Sequence, residues 1–195
     1  MSFEGILDQA LSGGTINQMS QVLGTDESTT SKAVQTALPM LLAAMTQNSS
    51  TPEGTSSLLS ALDRDHDGSI LDNVGEFLGG YSSGPGAGIL GHLFGDRQAD
   101  AQNTVSQASG LDSSSTAQLL MMLAPIVMGA LGRARQHSEV DEGSLGTVLD
   151  GAARQTASNS PMLDMLTNML DRNRDGSAVD DVVKFAGNLF GRRGA

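Results

Sequence analysis

The sequence predicts an all-α protein: two helical pseudo-repeats, each holding a helix–acidic loop–helix unit, packed together as a helical bundle. Three observations carry this. Aromatic residues make up 3% of the 195-residue chain, with no Trp and one Tyr, so the core rests on Leu, Ala, Val, Ile and ten Met. Such side chains suit packed helices better than a sheet, where aromatic and β-branched residues are favoured. The chain also repeats itself. "VLGTDESTTSKAVQTALPMLLAAM" from Val22 and "ASGLDSSSTAQLLMMLAPIVMGAL" from Ala108 align at an offset of 86 and share Gly24/Gly110, Asp26/Asp112, Ser28/Ser114, Thr30/Thr116 and Pro39/Pro125. Lastly, "LDRDHDGSI" from Leu62 and "LDRNRDGSA" from Leu170 match at an offset of 108.

Each half reads in the same order. A short amphipathic helix ends at Gly24 or Gly110. An Asp-Ser-Thr cluster then caps a long helix, over about 27–47 or 113–136. Its middle is apolar nearly all round, as for a helix buried between others. Pro39 and Pro125 fall inside and should kink it by removing a backbone donor. A second helix, about 55–62 or 161–170, enters the acidic loop, and a last one, about 71–79 or 179–190, leaves it. The difference between the two offsets gives the second half about 22 extra residues near "QHSEVDEGSLGTVLDGAARQTAS", read as a surface excursion or an added helix. The expected division is a first repeat over 1–82, a Gly-rich linker over 83–91 around "GPG", and a second repeat over 92–195.

The loops have the spacing of a calcium site. Calcium takes about six to eight oxygens, and an EF-hand loop supplies them from positions 1, 3, 5, 7 and 12, with Gly at 6 for the turn. The first loop offers Asp63, Asp65, Asp67, Gly68 and Ser69 at positions 1, 3, 5, 6 and 7. The second offers Asp171, Asn173, Asp175, Gly176 and Ser177. Position 12 fails in both, being Val74 and Val182, and an acid stands instead at position 10, Asp72 and Asp180. This resembles bacterial calcium loops with a shortened tail. Two EF-hand-like sites are therefore expected, Asp63, Asp65, Asp67, Ser69 and Asp72 in one, Asp171, Asn173, Asp175, Ser177 and Asp180 in the other. The second has fewer carboxylates at positions 1, 3 and 5, with two arginines inside the loop, and should bind more weakly. The competing reading is a surface Asp-Gly turn that needs no metal.

Other chemistry finds little support. The net charge is −11, with 11 acids against 3 bases over residues 1–97, and no basic stripe or stacking platform for nucleic acid. There is no cysteine, hence no disulfide or zinc–thiolate site. His66, His92 and His137 are scattered, and His66 should face solvent as loop filler. No G-x-S-x-G elbow, Walker loop or dinucleotide fingerprint occurs. Met40, Met45, Met121, Met122, Met128, Met162, Met165 and Met169 lie at helical spacing and read as core, or else as an adaptable groove exposed by calcium. The N-terminus lacks a basic, then apolar, leader, and the most apolar run, 119–132, is short for a bilayer span. A cytoplasmic protein without a transmembrane segment is expected.

"LGTDESTTSKAVQTALPMLLAAM", residues 23–45, resembles the hallmark segment of the bacterial YidB-like proteins and their relatives, a domain-of-unknown-function family. The pattern is L-G-x-D, a Ser/Thr cluster, then a helix carrying Leu38-Pro39. The second half has Ala124-Pro125 at that point, and Ser109 in place of Leu23. "GILGHLFG" and the acidic loops resemble longer members. The resemblance implies a bacterial, mostly helical protein and implies no enzyme activity. The expected function is thus a non-enzymatic calcium-binding helical protein in which the metal stabilises or switches helix pairs. The alternative is a scaffold or self-assembling interaction protein whose loops are only turns. In either case the partner is a protein or a second copy, not nucleic acid.

Overall fold

The computed structural model describes residues 2–12, 14–81 and 84–158, and these form an all-helical bundle. The second acidic loop, with Asp171, Asn173, Asp175, Ser177 and Asp180, lies outside the described residues, as do the helices expected over 161–170 and 179–190 and Met162, Met165 and Met169.

Four of the described α-helices start on a polar side-chain cap. Helix α1 (Phe3–Leu11) begins where the Ser2 hydroxyl accepts the Gly5 N–H, and it buries Phe3, Ile6, Leu7 and Ala10. Helix α2 (Gly14–Leu23) ends at Gly24, whose φ of +66° suits a residue with no Cβ. Helix α3 (Glu27–Asn48) is capped by Asp26, and α4 (Pro52–Asp65) by Thr51, with Pro52 in the first turn. A 3-10 turn (Ser69–Asp72) leads into α5 (Val74–Gly79). Then follow α6 (Gly86–Phe94), α7 (Gln98–Ser109), α8 (Ser113–Gln136) and α9 (Leu145–Ser158).

The aligned segments do the same local work. Gly24 and Gly110 both adopt a left-handed conformation. Asp26 and Asp112 both accept backbone N–H groups of the first turn, at 2.9 Å from Thr29 and 2.8 Å from Ser114. The buried Thr30 and Thr116 hydroxyls both donate to the cap residue's carbonyl, at 3.0 and 2.8 Å. Both long helices run on through Pro39 and Pro125.

Helices α3 and α8 form the centre. Leu41, Leu42 and Met45 of α3 and Leu119, Leu120, Met122 and Leu123 of α8 are fully buried. Met128 is buried as well, and Met40 and Met121 pack partly buried against the core, which is the packing role expected of them. Helix α8 is long and apolar enough to cross a membrane, but 78% of its most apolar stretch is buried by the other helices.

Two expectations need adjustment, and one open alternative is decided. The stretch read as a linker, 83–91, is helical from Gly86 onward, because Leu90 is buried and Gly86 lies against the backbone of Met121. The extra residues of the second half are a helix and not a surface excursion: α9 buries Leu145, Leu149 and Ala152, and packs mainly against α3. The helix leaving the first loop begins at Val74 and not at 71, so Asp72 sits in the 3-10 turn before it.

Candidate functional site

The first acidic loop lies across the C-terminal end of α8. Helix α4 ends at Asp65, His66 caps it, and the chain turns at Gly68 with φ 92° and ψ −3°. This is the left-handed turn expected at position 6. The Asp67 carboxylate accepts the Ser69 N–H at 3.0 Å, a tight Asx-type turn. The 3-10 turn follows, with Leu71 N–H donating to the Gly68 carbonyl at 3.1 Å. The Asn73 side-chain amide donates to Glu76.

Three side chains from one end of α8 hold this loop. Arg135 donates from Nε and Nη2 to the two Asp63 oxygens, at 2.5 and 2.8 Å. Arg133 donates from Nη2 to Asp72 at 2.5 Å and to the Gly68 carbonyl at 2.8 Å. Gln136 donates to the Asp67 carbonyl at 2.7 Å. Two arginines at a helix C-terminus also complement the helix dipole. Beneath them the loop backbone rests directly on α8. A Cβ on Gly132 would stand 1.7 Å from the His66 carbonyl oxygen, and one on Gly129 would stand 2.4 Å from Ile70 Cγ2. Gly68 is bounded in turn by Arg133 Cβ, 2.8 Å from where its own Cβ would be.

The five residues expected to ligate one ion therefore divide. Asp63 and Asp72 are ion-paired to arginines, Asp67 binds its own loop's backbone, and Asp65 and Ser69 are exposed. Among the described residues, no three or more His, Cys, Asp or Glu side chains converge as a metal-holding group. The hydrogen bond from Arg135 holds the Asp63 carboxyl below the usual range, and the Ser69 N–H and hydroxyl do the same for Asp67. Arg135 is correspondingly raised by Asp63.

His66 does not face solvent as expected. It is half-buried where the loop meets α8, and burial lowers its pKa against an opposing pull from Asp65. A histidine held neutral by the fold supports stability above its unfolded value of 6.5, and that support is lost as pH falls below it. Urea midpoints of the wild type should thus fall between about pH 7 and pH 5, and those of His66→Asn should fall less. Equal slopes would show that His66 does not cause the loss.

His66 also borders an open groove of about 930 Å³ between α4 and α6, with Leu58, Ala61, Ile89, Leu93 and Met128 as its apolar lining. The residues that sequence reasoning missed are Gly129, Gly132, Arg133, Arg135 and Gln136. The signal was present in "GALGRARQ": two glycines three apart on one helix face, followed at once by two arginines. Nothing local says which loop that face meets.

A family model described as a bacterial protein of unknown function (DUF937) matches residues 6–134. No curated protein and no solved structure matches the chain.

Proposed function

The chain belongs to the DUF937 family of bacterial proteins of unknown function, which includes the YidB-like proteins, and from that premise we propose that it is a non-enzymatic helical scaffold or interaction protein whose first acidic loop is a structural clip. One observation carries this reading. The first and last acids of the loop, Asp63 and Asp72, are already neutralised by Arg135 and Arg133 of a different helix. The loop then serves to fasten α4 and α5, early in the chain, onto α8, late in it. Its partner would be another protein or a second copy of the chain.

A second reading, calcium binding, is favoured by Gly68, whose left-handed turn follows the pattern of a calcium loop, and by the Asp67–Ser69 turn beside it. In that reading Asp63 and Asp72 exchange their arginines for the ion, and Asp65, Asp67 and Ser69 supply further oxygens. The equivalent set in the second loop is Asp171, Asn173, Asp175, Ser177 and Asp180.

Calorimetric titration of the metal-stripped full chain with calcium separates the two. The clip reading expects no heat, and a drop of about 1–3 °C in melting temperature for Asp63→Ala, the scale of an exposed ion pair. The calcium reading expects heat from the wild type, a tighter site when Arg133→Ala and Arg135→Ala remove the competing cations, and loss of heat when Asp63→Ala and Asp171→Ala are combined. Heat with that pattern would overturn the clip as the whole function.

A further inference from the structure

We infer that residues 63–77 form a strap that comes off α8 and loses its own turns while the rest of the bundle stays folded, with ionic strength setting how often it opens. The inference rests on the clip reading and adds a motion to it. Its first support is where the apolar anchors lie. Leu62 and Leu78 are buried at the two ends, each 1% exposed. Between them no apolar side chain is fully buried, and Ile70, Leu71, Val74 and Phe77 are only half-buried. The neighbouring body of α4 is tied down separately by Thr55, Leu59 and Leu62.

The second support is the kind of contact that holds the strap's middle. The polar ones from α8 are the two arginine–carboxylate pairs and the donations to the Gly68 and Asp67 carbonyls, beside an apolar contact of Ile70 and Leu71 over Gly129. The Asp72 and Asp63 side chains are 71% and 54% exposed, so water and salt reach both pairs. Exposed pairs weaken as salt rises, whereas the apolar contacts of α3 and α8 do not. The third support is the surface beneath. The strap's backbone at His66 and Asp67 lies on Gly132, and its Ile70 and Leu71 side chains lie over Gly129, so at these two positions α8 offers no side chain to grip it. Segments with few buried apolar contacts are those that open locally below the global unfolding free energy. Opening frees the Asp63 and Asp72 carboxylates and bares the Gly129–Gly132 face of α8.

Amide hydrogen exchange on the full chain tests this. The amides of Leu71 and Phe77, hydrogen-bonded within the strap, are compared with that of Leu123 in the middle of α8. Raising sodium chloride from about 50 mM to about 500 mM should speed exchange at Leu71 and Phe77 by roughly fivefold to tenfold, with Leu123 unchanged. Combining Arg133→Ala with Arg135→Ala should give a similar gain at low salt and remove the salt dependence. If the double variant fails to fold, the salt series on the wild type alone decides. The strap is overturned if its amides and Leu123 change together, or if the strap amides ignore salt. A lowered melting temperature for Asp63→Ala alongside either result would leave the clip standing and remove only the strap.

Discussion

Gly132→Ala is expected to lower the melting temperature by about 5–15 °C, corresponding to a loss of about 2–4 kcal/mol. Intrinsic propensity points the other way, since alanine in a helix is better than glycine by about 1 kcal/mol. Tertiary contact reverses the sign here. The new Cβ would sit 1.7 Å from the His66 carbonyl oxygen and 2.9 Å from its carbon, and these are backbone atoms that no rotamer change moves aside. The loop has to lift off α8, which costs the Arg133 and Arg135 pairs and the Gln136 hydrogen bond at once. Gly91→Ala in α6 is the matched control, because a Cβ there meets nothing within 4 Å. It should leave stability unchanged or raise it by up to about 1 kcal/mol. Thermal melts of the two variants that coincide would show that the loop does not rest on α8 at this point.

Leu149→Ala is expected to cost about 3 kcal/mol, read as a lower urea midpoint with an unchanged slope. Leu149 is fully buried and shares one face of α9 with Leu145 and Ala152, spaced four and three residues from it. That face packs mainly on α3, so the cavity opens beside the central helix and not at the rim. A surface excursion would have behaved otherwise, with a change within about 0.5 kcal/mol. The size of the loss therefore measures how far these extra residues have become part of the core.

The helices were legible in the sequence wherever their signals are local. The long helices begin where the Asp-Ser-Thr clusters predict, at Glu27 and Ser113, and end within one residue of their expected limits. Gly24 and Gly110 close the preceding helices as read. Less local readings fared unevenly. The "GPG" stretch promised a linker through residue 91, yet Leu90 finds a buried position and the helix begins at Gly86. His66 sits in a polar run that promised exposure, yet it is half-buried against α8. The five acids and hydroxyls of the first loop were legible as a set. What they bind in the fold was not.

By itself, then, the sequence determined the helical class, the caps of the two long helices, the stops at Gly24 and Gly110 and the turn at Gly68. Each follows from interactions within one or two helical turns, where spacing alone decides which groups meet. Only the tertiary structure decided that Asp63 meets Arg135, 72 positions away, and that His66 lies on Gly132. Those contacts depend on which face of α8 the α4–α5 segment crosses. That choice is made by the packing of the whole bundle, in which α8 also bears α1, α6 and α7.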